Sequence, residues 1–176
     1  GEIHDAVLAH DIDRVRQLLL EKPDQVNART EKGDTPLYIA AFRGYSKQMV
    51  PLLLQFGADP APAPNARRET PLSIARELNL KQTAGLLLRA GAREDDLSRA
   101  AEFRYLIMKR ELGAISKLAA EFPHVVNARN AFGQTPLALT ASSDHPDDQT
   151  LRILLKLGAD PNATNNYGGT PYSVAV

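Results

Sequence analysis

Lys32-Gly33-Asp34-Thr35-Pro36-Leu37-Tyr38-Ile39-Ala40-Ala41-Phe42-Arg43-Gly44 is the stretch that decides how this chain folds. Thr35 ahead of Pro36 marks a helix start. The threonine hydroxyl can cap a free backbone N–H, and proline fits the first helical position, where it has no hydrogen bond to lose. Beyond it, Leu37, Ala40 and Ala41 fall on one face of a short helix, and the alanines let a partner helix approach closely. Gly44-Tyr45 predicts a turn, Ser46 a cap, and Val50, Leu53 and Leu54 the apolar stripe of a second helix. Gly57 ends that helix in the left-handed conformation that glycine adopts without steric cost. The Asp, Pro and Asn residues after it read as an extended turn and not as a third helix.

The same pattern returns along the chain. Thr-Pro-Leu recurs at Thr70-Pro71-Leu72 and Thr135-Pro136-Leu137, with an altered copy at Thr170-Pro171-Tyr172. Leucine clusters lead into Gly57-Ala58, Gly91-Ala92 and Gly158-Ala159. Thr35 to Thr70 and Thr135 to Thr170 are each 35 residues, whereas Thr70 to Thr135 is 65, so a degenerate unit is expected between them. A longer register runs through the chain as well. Pro23, Asn27-Ala28-Arg29, Gly33 and Thr35 recur 100 residues later as Pro123, Asn127-Ala128-Arg129, Gly133 and Thr135. The apolar series Ile3, Val7, Val15, Leu18 returns as Phe103, Ile107, Ile115, Leu118, which points to duplication of a three-unit block. One unit alone would expose both of its apolar stripes. Stacking buries them, at roughly 1.5–3 kcal/mol for each fully buried leucine.

The Lys32–Gly44 string, continued by Leu53-Leu54-Gln55-Phe56-Gly57-Ala58-Asp59, resembles the ankyrin repeat. The resemblance implies an all-α solenoid of helix-turn-helix units with projecting hairpin loops. About five and a half units are placed near 2–30, 31–65, 66–94, 95–130, 131–165 and 166–176, forming a single domain over 1–176 in which the last unit holds only its opening helix. Several positions depart from the family pattern. Tyr38, Ser73, Ala138 and Tyr172 stand where the family has histidine, so the histidine's link to the Thr-Pro turn is missing and inter-repeat rigidity is in question. Arg68 occupies the usual hairpin glycine position, Ala61-Pro62-Ala63-Pro64 lengthens one loop, Asp144–Asp148 carries an insertion, and the unit at 95–130 has no Thr-Pro-Leu.

Lys+Arg and Asp+Glu are 21 each, so no basic excess exists to draw nucleic acid or an anionic membrane. No apolar run approaches the ~20 residues that span a bilayer, and a soluble chain is expected. Cysteine is absent, which excludes disulfides and leaves the compartment open between cytoplasmic and exported. The chain begins at Gly1 and not Met, as expected where something upstream has been removed.

Catalytic and metal-binding residues are not expected. His4 and His10, beside Asp11 and Asp13, lack the i, i+4 spacing that puts two ligands on one helical face; His124 is isolated and His145 sits in a polar loop. No phosphate-cradling glycine loop or nucleophile elbow occurs. Glu94-Asp95-Asp96 reads as negative charge at a helix start, where it is favourable. No cofactor follows from any of this.

The resemblance implies instead that stacked units present a continuous concave surface of loop tips and first helices to another protein. The chain is expected to act as a monomer, with a self-associating array, or the adaptor portion of a larger and exported bacterial protein, as the alternatives. Mapped onto this sequence, the tip positions are Glu31, Lys32 and Asp34; Arg67, Arg68 and Glu69; Phe132 and Gln134; and Tyr167. The ends of the first helices add Phe42 and Arg43, Glu77, and Met108 and Lys109. Phe42, Phe132 and Tyr167 lead this set, because aromatic side chains desolvate large areas around few rotatable bonds.

Overall fold

A computed structural model describes residues 1–171, and these form ten α-helices and two short 3-10 helices with no strand among them. The opening helix expected for the partial last unit, with Tyr172, falls on residues outside those described. Two compact units divide the chain at Ser98 and Arg99.

The first unit stacks three repeats. Their first helices are α1 (Glu2–Leu8), α3 (Pro36–Phe42) and α5 (Pro71–Glu77), and their second helices are α2 (Ile12–Glu21), α4 (Met49–Gln55) and α6 (Lys81–Arg89). First helix packs on first helix, α1 on α3 and α3 on α5, and each also packs on its own second helix. The small residues decide the spacing. Ala40 and Ala41 are completely buried, so the backbones of neighbouring first helices come close, while Ile3, Val7, Val15, Leu37, Leu53 and Leu87 fill the layer behind them.

Threonine caps these helices as expected. Thr35 Oγ1 accepts from Tyr38 N at 3.1 Å and Thr70 Oγ1 from Ser73 N at 3.1 Å. Ser73 Oγ returns the bond by accepting from Thr70 N at 2.8 Å, closing a reciprocal capping box. Gly57 and Gly91 close α4 and α6 with φ of +87° and +111°. Ser46 does not cap. Residues 45–48 turn once more before α4 begins at Met49, and the Ser46 hydroxyl donates to Gln82 Oε1 of the next repeat at 3.2 Å.

The second unit begins within α7 (Asp96–Met108) and continues through α8 (Leu112–Glu121), α9 (Pro136–Ala141) and α10 (Asp148–Lys156). Phe103, Ile115, Val125, Val126, Leu137 and Leu154 form its buried centre. Helix α7 starts without Thr-Pro-Leu by other means. Asp95 Oδ1 accepts from Ser98 N at 2.8 Å and Ser98 Oγ accepts from Asp95 N at 2.9 Å, reproducing the Thr70–Ser73 box with different side chains. Asp147 in the inserted loop caps α10 by accepting from Thr150 N at 2.9 Å.

The 100-residue register reappears as hydrogen bonds. Asn27 Nδ2 donates to Gly57 O at 3.2 Å and Asn27 Oδ1 accepts from Asp59 N at 2.8 Å. Asn127 repeats both links, to Gly158 O at 3.0 Å and Asp160 N at 2.9 Å. Pro23–Asn27 and Pro123–Asn127 each form a 3-10 turn that ends on these asparagines, an element absent from the sequence expectation.

Candidate partner-binding face

In the first unit, the hairpin tips and first helices enclose a cleft of about 810 Å³. His4, Asp5 and Leu8 of α1 form one wall, Thr30–Lys32 and Asp34 line the tip, and Tyr38, Ile39, Phe42 and Arg43 of α3 complete it with Arg67 and Glu69. The tips themselves are narrow turns. Thr30 N donates to Asp34 O at 3.0 Å, and Asn65 N to Glu69 O at 2.9 Å. Backbone joins one tip to the next, with Ala66 N donating to Lys32 O at 2.9 Å. Arg68 completes the second turn at φ +61°, a left-handed conformation in the place where the family carries glycine.

Tyr38 answers the question of rigidity. Its hydroxyl donates to Glu69 Oε2 at 2.6 Å and accepts from Arg67 Nη2 at 3.1 Å. Arg67 Nε donates to the same Glu69 oxygen at 2.8 Å, and its Nη2 reaches Asp34 Oδ1 at 3.0 Å. Asn65 Nδ2 bridges Asp34 Oδ1 at 2.7 Å and Glu69 Oε2 at 3.3 Å. The second and third repeats are thus clasped by a closed polar network in place of the missing histidine link. Burial, then the bond to Glu69, pushes the Tyr38 hydroxyl well above its ordinary pKa. Burial alone would raise the Glu69 carboxyl, yet hydrogen bonds from Tyr38, Arg67 and Asn65 outweigh it and hold the group below the usual carboxylate value.

Of the candidates in this unit, Asp34, Arg67 and Glu69 are therefore brought together as one ionic cluster, whereas Lys32, Phe42 and Arg43 stand outside it on the wall of the cleft. Phe42 is 48% exposed and stacks its ring near Tyr38, with centroids 6.3 Å apart. Arg68 projects from the tip and does not line the cleft. Leu8, 42% exposed on the opposite wall, was missed by sequence reading. It occupies in α1 the position that Phe42 holds in α3, and that alignment was the available signal.

The second unit is built differently at the corresponding places. Phe132 and Tyr167 lie 54% and 82% exposed on consecutive tips, joined by Asn166 N donating to Phe132 O at 3.0 Å. Gln134 is engaged within its own turn, where its Oε1 accepts from Asn130 Nδ2 at 3.1 Å. Met108 is 65% exposed at the end of α7, and the Lys109 ammonium lies 6.0 Å from the centroid of the Tyr105 ring.

A model of three ankyrin repeats matches residues 3–98, and a single ankyrin repeat matches 132–166. The chain belongs to the ankyrin-repeat family. Relatives of this ankyrin-repeat chain include human B-cell lymphoma 3 protein, 32% identical over 146 residues, and a homologue of transient receptor potential cation channel subfamily A member 1 from Caenorhabditis elegans, 30% identical over 151. These alignments cover 79% and 86% of the chain but only 32% and 10% of the relatives, so the chain spans a third or less of the curated proteins it matches. A similar chain belongs to the solved complex of a predatory endopeptidase from Bdellovibrio bacteriovorus with an immunity protein. It shares 26% identity at a TM-score of 0.59, covering 99% of this chain and 90% of that one. Ankyrin repeats are protein–protein interaction modules as a class. Among the described residues of this ankyrin-repeat chain, no three His, Cys, Asp or Glu side chains gather as a metal site, and no helix is long and apolar enough to cross a membrane.

Proposed function

We propose that this ankyrin-repeat chain binds another protein through its hairpin tips and the ends of its first helices, without catalysing a reaction. One observation carries the reading: Phe42, Met108, Phe132 and Tyr167 remain 48–82% exposed at tips and first-helix ends, while Ala40, Ala41 and Phe103 on the same first helices are completely buried. Covering such side chains with a partner removes apolar surface from water, which is favourable, and aromatic residues are common anchors of protein interfaces. The similarity to a chain from an endopeptidase–immunity protein complex supports direct protein contact as the mode of action.

The test is a crosslinked pull-down from lysate of the source cell, read by mass spectrometry. Wild type is compared with a Phe42→Ala, Phe132→Ala, Tyr167→Ala variant whose thermal unfolding matches it. A protein held by wild type and lost by the variant is the expected result. Identical captures with both baits would refute the assignment of these residues. Light scattering of the free chain is expected to give a single-chain mass at low micromolar concentration; a dimer mass would make the exposed aromatics intersubunit contacts.

A further inference from the structure

The duplicated block supplies an internal comparison. At the 100-residue offset, the framework positions are kept: Asn27, Arg29, Gly33, Thr35 and Asn65 return as Asn127, Arg129, Gly133, Thr135 and Asn165. Their bonds are kept too. Asn65 Oδ1 accepts from the backbone of Arg67 and Glu69, each at 2.9 Å, and Asn165 Oδ1 from that of Tyr167 and Gly169, each at 2.9 Å. The charges lining the cleft of the first unit behave otherwise. Asp5, Glu31, Lys32 and Arg43 correspond to Tyr105, Ala131, Phe132 and Ser143, all uncharged. One scaffold therefore folds with and without those four charges.

The four are also unspent. Asp34, Arg67 and Glu69 satisfy one another inside the clasp, but the side chains of Asp5, Glu31, Lys32 and Arg43 make no hydrogen bond or ion pair among the described residues and are exposed. They surround an apolar floor of Leu8, Ile39 and Phe42. Two free carboxylates and two free cations around an apolar centre complement a ligand carrying both signs.

We propose that the cleft of the first unit takes a segment of a partner protein in which an apolar side chain lies between an acidic and a basic residue. The apolar side chain covers Leu8 and Phe42, the basic residue pairs with Asp5 or Glu31, and the acidic residue pairs with Lys32 or Arg43. This rests on the protein-binding reading above and adds the chemistry of the bound segment. It also predicts that the two units recognise different chemistry: exposed charge pairs in the first, uncharged aromatic tips in the second.

The experiment selects random linear peptides displayed on phage against the whole chain, then measures a synthetic copy of an enriched peptide by fluorescence anisotropy. The comparison variant is Glu31→Ala, Lys32→Phe, Arg43→Ser, which installs the residues the second unit carries on the same scaffold. Arg43→Ser alone, at an exposed helix end, serves where the triple variant unfolds. Enriched peptides are expected to carry an acid and a base flanking an apolar residue. They should bind the triple variant at least ~10-fold more weakly and the single variant several-fold more weakly, and wild-type affinity should fall several-fold between ~0.1 and ~1 M salt. Enrichment of peptides none of which carries both charges, or equal affinity of the charged peptides for wild type and variant, would overturn the inference while leaving protein binding intact. Failure to enrich any peptide would overturn the inference and count against the cleft as a protein-binding surface altogether.

Discussion

Replacing Tyr38 by Phe isolates one atom of the inter-repeat clasp. The ring stays in place, buried to 4% exposure, so the apolar contribution is unchanged. What goes is a hydroxyl that donates to a carboxylate at 2.6 Å and accepts from a guanidinium at 3.1 Å. Hydrogen bonds to charged groups contribute ~1.5–3 kcal/mol. Glu69 keeps Arg67 Nε at 2.8 Å and Asn65 at 3.3 Å, so the carboxylate is not orphaned and a loss near ~2 kcal/mol is expected. With a urea slope of ~1–3 kcal/mol per molar, the midpoint should drop by about 1 M. Repeat arrays can unfold in parts, so amide exchange at Asn65 and Glu69, whose N–H groups hold the third repeat's tip, provides the local reading.

The pH dependence gives an independent check. Glu69 is held below its ordinary value of 4.5, so its contribution is complete above that pH and lost as the solution is acidified below it. Tyr38 is pushed above its ordinary 10, so its contribution is complete below pH 10 and lost as pH rises beyond it. Tyr38→Phe should abolish the alkaline loss and shrink the acid one. A double-mutant cycle with Glu69→Gln should show coupling of ~1 kcal/mol or more. A stability change under ~0.3 kcal/mol, or a cycle that is additive within ~0.5 kcal/mol, would refute the clasp.

Three further outcomes follow from the backbone. Arg68→Gly relieves a left-handed residue at φ +61° and should raise stability by up to ~1 kcal/mol in thermal melts, since the side chain makes no bond that would be lost. Gly133→Ala would set a Cβ 2.8 Å from Asn166 N and against its side chain, whereas Gly158→Ala meets nothing within 4 Å; both glycines have positive φ. The first should cost ~1 kcal/mol more than the second in paired urea titrations. Asn127→Ala removes both links to Gly158 and Asp160, and about 1–2 kcal/mol of stability should go with them, with a matching loss for Asn27→Ala.

Much of the fold was legible because its signals are local. A threonine cap needs only the amide three residues on, and Gly57 needs only its own φ, so both could be read from neighbours in sequence. The same locality misled at Ser46, since nothing nearby shows that the chain turns again before Met49. The clasp could not be read that way, because Tyr38 and Glu69 are 31 residues apart and meet only once repeats stack. Asp34, Arg67 and Glu69 read from sequence as separate tip positions; in the structure the two carboxylates are the ion-pair partners of Arg67. Arg68 was visible as a missing glycine. The left-handed residues His10, Asn79 and Arg110 stand where Gly44 closes the first helix of the second repeat, and that alignment was the signal available for them.

The second unit shows how the exposed aromatic residues are held without a clasp. Ala138 stands where Tyr38 stands in the first, and Gly169 where Glu69 stands, so the ionic clasp has no counterpart there. The backbone link found in both blocks remains, Asn166 N donating to Phe132 O at 3.0 Å as Ala66 N does to Lys32 O, and the Asn166 side chain adds a bond from Nδ2 to Ala131 O at 3.0 Å, with Gly133 admitting the close approach. A tip held by its main chain leaves its side chains uncommitted, and Phe132 and Tyr167 use that freedom to face solvent. In the first unit the corresponding positions are Lys32, free, and Arg67, bound into the clasp. The two blocks thus share the backbone link between tips, and the first adds an ionic clasp to it. That added clasp determines which side chains remain available to a partner.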